Sequence, residues 1–282
     1  VLVLGANGQL GLCIKRIAPQ QPQLLFTFLS VDELDITDEV SVKETFSKGN
    51  YDFCINCAAY TNVDASEDQA DLAFKVNAIG PRYLARTCSQ TKTKLIHVST
   101  DFVFDGQKKT PYTEQDNTNP LGVYGESKLK GEEEIMKYSD QYFIIRTSWL
   151  YSEFGKNFVK TMIDLTKTRT AISVVNDQIG SPTYALDLAG AILRIIDYES
   201  TDYGVYHYSN KGKISWFDFA SKVFELKGID IDLTPIKTKD YPTKARRPSY
   251  SVLDTEKIER ALEMMIGNWD DRLPEALKEI HV

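Results

Sequence analysis

The sequence predicts an α/β chain: a doubly wound parallel sheet, with a smaller mixed α/β lobe towards the C-terminus. Three observations carry that prediction. A glycine-rich turn separates the first apolar run from the first helical pattern. Strand-like runs alternate with helix-like periodicity through the first half, as in βαβ units. After about residue 150 the alternation loses its regularity. Element by element, residues 1–4 read as a strand entering the glycine turn, and 9–17 as a helix with Leu10, Cys13, Ile14 and Ile17 on one face. Residues 24–29 read as a second strand, 40–47 as a short helix and 53–57 as a third strand. Leu72, Val76, Ile79, Tyr83 and Leu84 make 71–89 one long amphipathic helix. Strands follow at 95–99 and 143–147, with a helix over 125–137 between them. Beyond these, helices are expected at 158–165, 185–196, 217–224 and 272–280, and a short strand at 206–209. Segments 103–122 and 234–252, rich in Pro, Thr, Asn and charge, read as long binding loops. No internal repeat is visible.

Composition narrows the function. The 282 residues suit one large α/β unit, or one with a smaller lobe. Apolar residues at 42% and charged residues at 26% are globular values and exclude disorder and collagen-like repeats. No apolar run approaches the roughly 20 residues that span a bilayer, and the opening residues lack the basic start of a signal peptide. A chain starting at Val1 without Met is expected to lack a few residues. A net charge of −7 argues against a nucleic-acid partner, though not against a small acidic ligand. Cys54-Ile55-Asn56-Cys57 has a redox or zinc spacing on paper. In a strand its two thiols point to opposite faces about 10 Å apart, too far for a disulfide. No second pair or nearby His completes a zinc site, so the four cysteines read as buried thiols in a reducing cytoplasm.

Gly5-Ala6-Asn7-Gly8-Gln9-Leu10-Gly11 closes the first strand and opens the first helix, the context of a Rossmann-type dinucleotide fingerprint. Small residues let backbone approach a pyrophosphate, and the helix N-terminus offers free amides. The spacing is G-x-x-G-x-x-G, which points to short-chain dehydrogenase-type folds. Residues 1–150 then form an NAD(P)-binding domain, to which 184–210 return, and 151–282 form mainly a substrate-binding lobe. At the end of the second strand, Ser30-Val31 supplies neither an acid for a ribose nor an Arg for a 2′-phosphate, so NADPH and NADH both remain open. Asp35 is a candidate adenine contact.

Tyr124 and Lys128 lie at i and i+4 on one helical face. The ammonium would lower the phenol pKa and ready it for proton exchange. One such spacing is expected by chance among 15 tyrosines, so context carries the reading. The pair follows a strand ending Val98-Ser99-Thr100-Asp101, whose hydroxyls would emerge at the rim where the glycine loop ends. None of the three histidines supports a His-based mechanism: His97 reads as core, His207 lies in a Tyr-rich strand and His281 in the tail.

With these residues in place, the chain resembles the dTDP-4-dehydrorhamnose reductases, extended short-chain dehydrogenase/reductases. The similarity runs end to end, through Leu34-Asp35-Ile36-Thr37, Asn56-Cys57-Ala58-Ala59-Tyr60-Thr61 and Val76-Asn77-Ala78. It continues in Arg146-Thr147-Ser148-Trp149, Asp177-Gln178-Ile179-Gly180-Ser181-Pro182-Thr183 and Arg247-Pro248, the more specific motifs. The resemblance implies NAD(P)H-dependent reduction of the 4-keto group of dTDP-4-dehydro-L-rhamnose. Tyr124 would give the proton, Lys128 would tune it and bind the nicotinamide ribose, and Thr100 would hydrogen-bond the ketone. Gly5, Asn7, Gly8, Gln9 and Leu10 would hold the cofactor, with Ser30, Asp35 and Ile36 after the second strand. Cys57, Ala58, Ala59, Tyr60 and Asn77 would lie along it. Thr61, Val63, Asp101 and Phe102 would bind the substrate, Trp149 would flank its sugar, and Asn157, Gln178, Thr183 and Arg247 would hold its nucleotide diphosphate end. Arg247 falls in the one compact basic run, Lys244-Ala245-Arg246-Arg247, and its planar fork suits a phosphate.

Two departures bear on the reading. Phe102 stands where these reductases commonly have Tyr, which removes a hydroxyl contact. Cys13 stands where magnesium-bridged dimers of the family carry Glu, so no metal is expected, and monomer and homodimer both stay open. Rival readings are another nucleotide-sugar 4-reductase, a 4-epimerase or a 4,6-dehydratase, or an NADP-binding regulatory subunit like that of methionine adenosyltransferase. Asp101-Phe102 lacks the Glu that related dehydratases place after the Asp, and the complete Thr100, Tyr124 and Lys128 set argues against a subunit without turnover.

Overall fold

The computed structural model describes residues 1–280. The first half alternates β1 (Leu2–Leu4), α1 (Gln9–Ile17), β2 (Thr27–Leu29), α2 (Glu39–Lys48) and β3 (Phe53–Asn56). Then come α3 (Val63–Ser66), α4 (Ala70–Phe74), a π-turn (Lys75–Ile79), α5 (Gly80–Thr91), β4 (Lys94–Thr100), α6 (Val123–Tyr138) and β5 (Tyr142–Thr147). The second half runs β6 (Leu150–Tyr151), α7 (Phe158–Thr166), β7 (Ala171–Val175), β8 (Ile179–Gly180), β9 (Thr183–Tyr184) and α8 (Ala185–Asp197). It ends with β10 (Gly204–His207), β11 (Ile214–Ser215), α9 (Trp216–Lys227), β12 (Asp232–Ile236), α10 (Glu256–Ala261) and α11 (Trp269–Glu279).

Six strands form one parallel sheet in the order β2-β1-β3-β4-β5-β10. The order reverses between β1 and β3, so a crevice opens at their carboxyl ends, where ligands bind in such sheets. Alternating strand residues feed two apolar layers. Val3, Ile55, Ile96 and Ile145 pack on α1, α8 and α10, and Leu2, Cys54, Leu95 and Ile144 on α2, α5 and α6. A separate core of Tyr151, Val159, Phe219, Val223, Leu273 and Leu277 joins α7, α9 and α11. Beside it β7 and β12 form a parallel two-stranded ribbon.

The doubly wound parallel sheet is as expected. Four local readings are corrected. The second strand shortens to Thr27–Leu29, because a turn from Gln21 to Leu24 leaves Leu25 88% exposed. The expected helix over 71–89 is interrupted by the π-turn, which carries Asn77 inward, and restarts with Pro81 in the first turn of α5, where no N–H is needed. The strand expected at 206–209 shifts to Gly204–His207, in register with β5. The loop expected over 234–252 begins inside β12. That ribbon tolerates Pro235 because each of its strands has a free edge. Tail residue His281 lies outside the described residues.

Candidate active site

The glycine loop is built for close approach. Gly5 has φ of 71°, and a Cβ there would lie 2.7 Å from the Ala58 nitrogen, so only glycine lets the end of β1 meet the end of β3. Gly8 caps α1 with extended backbone and no side-chain hydrogen bond, leaving the first amides of the helix for an anion. Leu10 is buried under the turn, so the loop's backbone faces the crevice while its side chain joins the core. Gln9 ties the loop to the second half: its amide donates to the Leu150 carbonyl (3.2 Å) and accepts from Asn157 Nδ2 (2.8 Å). This cradle fits a dinucleotide pyrophosphate.

At the other cofactor-side positions the contacts are mixed. The Ser30 hydroxyl and amide both donate to Glu33 (2.9 and 2.8 Å), and Asp35 accepts from the Thr37 amide (2.9 Å). The side chain of Ile36 is core, lying against Gly80. Asn77 accepts from the Tyr60 amide (2.8 Å) and donates to the Tyr60 carbonyl (3.0 Å) and the Ser127 hydroxyl (3.0 Å). It therefore locks the segment carrying Ala58, Ala59, Tyr60 and Thr61 against α6. Cys54 and Cys57 pack on opposite faces of the sheet; a hydrogen bond with Cys88, then burial, push the Cys54 thiol up, and burial pushes that of Cys57 up.

Thr100 ends β4 and Tyr124 stands in the first turn of α6. The Thr100 hydroxyl donates to Asp101 (3.0 Å) and accepts from the Phe102 amide (3.2 Å). The rings of Phe102 and Tyr124 meet edge to face, 5.4 Å apart. Gly125 makes that approach possible, since a Cβ would sit 2.2 Å from the Phe102 carbonyl oxygen. Burial pushes the Tyr124 phenol up to about 12, against the Thr100 hydroxyl, which lowers it. Burial likewise pushes the Asp101 carboxyl up to about 6, and its Oδ2 has no hydrogen-bond partner among the described residues. Lys128 is buried, donates to the Val98 carbonyl (2.7 Å) and lies 3.3 Å from His97 Nε2. Burial brings it down to about 8. The i, i+4 spacing does put Tyr124 and Lys128 on one helix, yet the nearest polar partners of Lys128 lie on β4 and not on the phenol.

Next to Phe102 a cleft of about 320 Å³ separates the sheet from the second core. Trp149, Gln178, Tyr241, Arg247 and Ser251 line it with Trp216 and Phe158. Trp149 holds φ of 47° and stacks on Trp216 with centroids 3.4 Å apart. Its indole lies over Gly180, where a Cβ would come within 2.4 Å of the ring. Gln178 donates to Thr238 (3.1 Å). Arg247 grips Asp64 of α3 through two nitrogens (2.8 and 3.2 Å), so the cation sits at the cleft already paired. Six expected substrate residues, Thr61, Val63, Thr100, Asp101, Asn157 and Thr183, do not line this cleft. The Asn157 side chain caps α7 by accepting from the Lys160 amide, and Thr183 is wholly buried in β9. Thr61 is exposed and Val63 half-buried at the start of α3, beside the Asp64 that holds Arg247. Cys13 is buried core with its thiol pushed up to about 12.

Sequence reading missed Asp64, Trp216, Tyr241 and Ser251. It placed His97 in the core without its contact to Lys128. Period-two spacing could have found that contact: His97 lies two residues before Ser99, and Ser99 also faces α6, donating to Glu132.

A glycine cradle at the β1–α1 turn, and a Thr, Tyr and Lys set at the rim of the same parallel sheet, define an extended short-chain dehydrogenase/reductase. The family model described as RmlD substrate binding domain matches residues 1–282. A dTDP-4-dehydrorhamnose reductase of Aggregatibacter actinomycetemcomitans is 39% identical, over 97% of this chain and 96% of its own. A crystal structure of a dTDP-4-dehydrorhamnose reductase from Clostridium acetobutylicum superposes with a TM-score of 0.94 at 42% identity, covering 98% of each chain. That of the Bacillus anthracis reductase in complex with NADP does so with a TM-score of 0.94 at 39% identity, covering 99% of this chain and 98% of the other. The chain belongs to the dTDP-4-dehydrorhamnose reductase family.

Proposed function

We propose that this chain reduces the 4-keto group of dTDP-4-dehydro-L-rhamnose to give dTDP-L-rhamnose. The observation that carries the proposal is the shared rim: the glycine cradle, Thr100 with Tyr124, and the Trp149–Arg247 cleft all open at the carboxyl end of one sheet. Bound NADPH supplies the hydride. The B. anthracis relative was solved with NADP, while at the end of β2 the Ser30 hydroxyl and amide donate to the Glu33 carboxylate, an acid that a 2′-phosphate would have to displace. The 1–150 part, with α8 and β10 returning to it, is read as the cofactor-binding unit, and most of 151–282 as the substrate lobe.

Tyr124 gives its proton to the ketone oxygen, and its raised pKa keeps it in the donor form at neutral pH. Thr100 offers its hydroxyl to the same oxygen once it turns from Asp101, stabilising the charge that develops there. The Trp149–Trp216 stack provides an apolar wall for a deoxysugar and nucleobase. Arg247 exchanges Asp64 for the substrate diphosphate, a bidentate match for its guanidinium. Asn157 and Thr183 act through structure, by shaping the Gln9 loop and β9. No helix of the described residues is long and apolar enough to cross a membrane. With four free cysteines and a sugar-nucleotide substrate, a cytoplasmic monomer or homodimer fits this role.

The test follows NADPH and NADH absorbance with purified protein and the 4-keto sugar nucleotide generated in situ, omitting only this protein in the control. Protein-dependent oxidation with dTDP-L-rhamnose as product supports the reading. No oxidation, with cofactor binding intact, returns the regulatory-subunit alternative.

A further inference from the structure

Between β12 and α10 a strap of chain crosses from the second core to the first half. It carries Arg247, the one charged side chain among the described residues that line the cleft. Both ends of the strap are fixed. Upstream, the Thr238 amide and hydroxyl donate to Asp177 (2.9 and 2.7 Å). Downstream, Pro248 packs on Gly106, whose carbonyl accepts from the Ser249 hydroxyl (2.9 Å). Between those ends two carboxylates of the first half hold it. Asp68 pairs with Lys244, and Asp64 accepts from the Ala245 amide (3.1 Å) as well as from Arg247.

The grip of Asp64 on Arg247 has two points. Nη1 donates to Oδ1 (3.2 Å) and Nη2 to Oδ2 (2.8 Å), one guanidinium edge against one carboxylate. A phosphate presents the same pair of acceptor oxygens to that edge, and the edge takes one anion at a time. Neither partner is deeply buried: Asp64 is 42% exposed and Arg247 24%. Ion pairs as open as this are weak clamps, and water can take over the Asp64 oxygens when the cation turns away. The Asp64 side is therefore exchangeable, while the strap's two ends stay fixed.

We propose that Asp64 is an internal competitor for the substrate diphosphate: it holds Arg247 and latches the strap in the free enzyme, gives the guanidinium up when the nucleotide binds, and takes it back as the product leaves. The inference rests on the reading of Arg247 as the diphosphate ligand given above, and adds a residue that regulates that site. Every nucleotide that enters displaces a carboxylate. Affinity is then lower than Arg247 alone would give, by the fraction of molecules in which the cation is free. The same carboxylate speeds release, because it offers Arg247 a partner as the diphosphate departs.

The test is calorimetric titration of the whole protein with dTDP, in the wild type, Asp64→Asn, Arg247→Ala and the double variant. Asn at 64 keeps an oxygen for the Ala245 amide and loses the charge that holds Arg247. Asp64→Asn should bind dTDP about threefold more tightly or better, the scale of an open ion pair. Arg247→Ala should bind it more weakly, and adding Asp64→Asn to Arg247→Ala should change nothing further. Asp64→Ala carries the test if Asp64→Asn does not fold. Weaker binding in Asp64→Asn would show that Asp64 steadies Arg247 while the diphosphate meets its other edge, and would overturn the proposal. Tightening that persists without Arg247 would reduce the effect to plain charge repulsion and overturn it as well. Unchanged affinity in Arg247→Ala would remove Arg247 as the diphosphate ligand, and the competitor with it. None of these titrations needs turnover. If they follow the stated pattern while the sugar nucleotide is not reduced, the assigned reaction fails and the competitor stands.

Discussion

At the scale of single residues, Tyr124 and Asp101 carry the sharpest expectations. Tyr124→Phe should lower kcat by at least about 100-fold, the lower range for a general acid, with fold and NADPH binding kept. Near-wild-type turnover in that variant removes Tyr124 from the chemistry. Asp101 has its carboxyl raised from 3.8 to about 6 by burial. The native state therefore binds more protons than the unfolded state between those values, and stability falls as pH rises through that window. Asp101→Asn should raise Tm at about pH 7.5, where the buried charge is removed, and leave it nearly unchanged near pH 4, where the acid is already neutral. Equal Tm values at the higher pH would mean that the carboxylate is solvated. Tyr124, Lys128, Thr100 and the three loop glycines were legible in the sequence because backbone context fixes where they emerge. The partners of Lys128 were not, because they depend on how α6 lies across β4. Asp64 could not be seen as the counter-ion of Arg247, since 183 positions separate them.

At the scale of elements, helices with a clear apolar face were read to within a few residues. α1 was read end to end, and α7 and α8 each run one residue beyond the expected end. The π-turn was missed because its residues keep an apolar period close to helical, and only the tertiary bond between Asn77 and Tyr60 shows why the extra residue is there. The two-residue strands β6, β8, β9 and β11 are too short to show any alternation. They matter nonetheless. β8 sets Gly180 against the Trp149 indole, which is also stacked on Trp216. Gly180→Ala should shift that indole and raise KM for the sugar nucleotide about tenfold or more, since misplacement of a positioning group by an ångström is enough for that. Cofactor affinity should not change. An unaltered KM would show that the stack does not border the substrate.

At the scale of the molecule, the alternation of runs made the parallel sheet legible, whereas the second core was visible only as scattered helices. Its position follows from long-range packing of α7, α9 and α11, which no local period encodes. The basic run joins the two halves: Lys244 pairs with Asp68, and Arg247 and the Ala245 amide both engage Asp64. Arg247→Ala should raise KM by about 10- to 100-fold with kcat little changed, as loss of a charge-assisted bond made equally in ground and transition states requires. A fall in kcat at unchanged KM would instead place Arg247 in the chemistry.

The most direct measurement follows deuterium. The protein is given the 4-keto sugar nucleotide with NADPH deuterated at C4 of the nicotinamide, on one face and then the other, and the product is read by NMR. The account predicts one deuterium at C4 of dTDP-L-rhamnose from one of the two labelled cofactors, with one NADPH consumed per product. A product without deuterium at C4, or a C4 epimer formed with no net loss of NADPH, would contradict it.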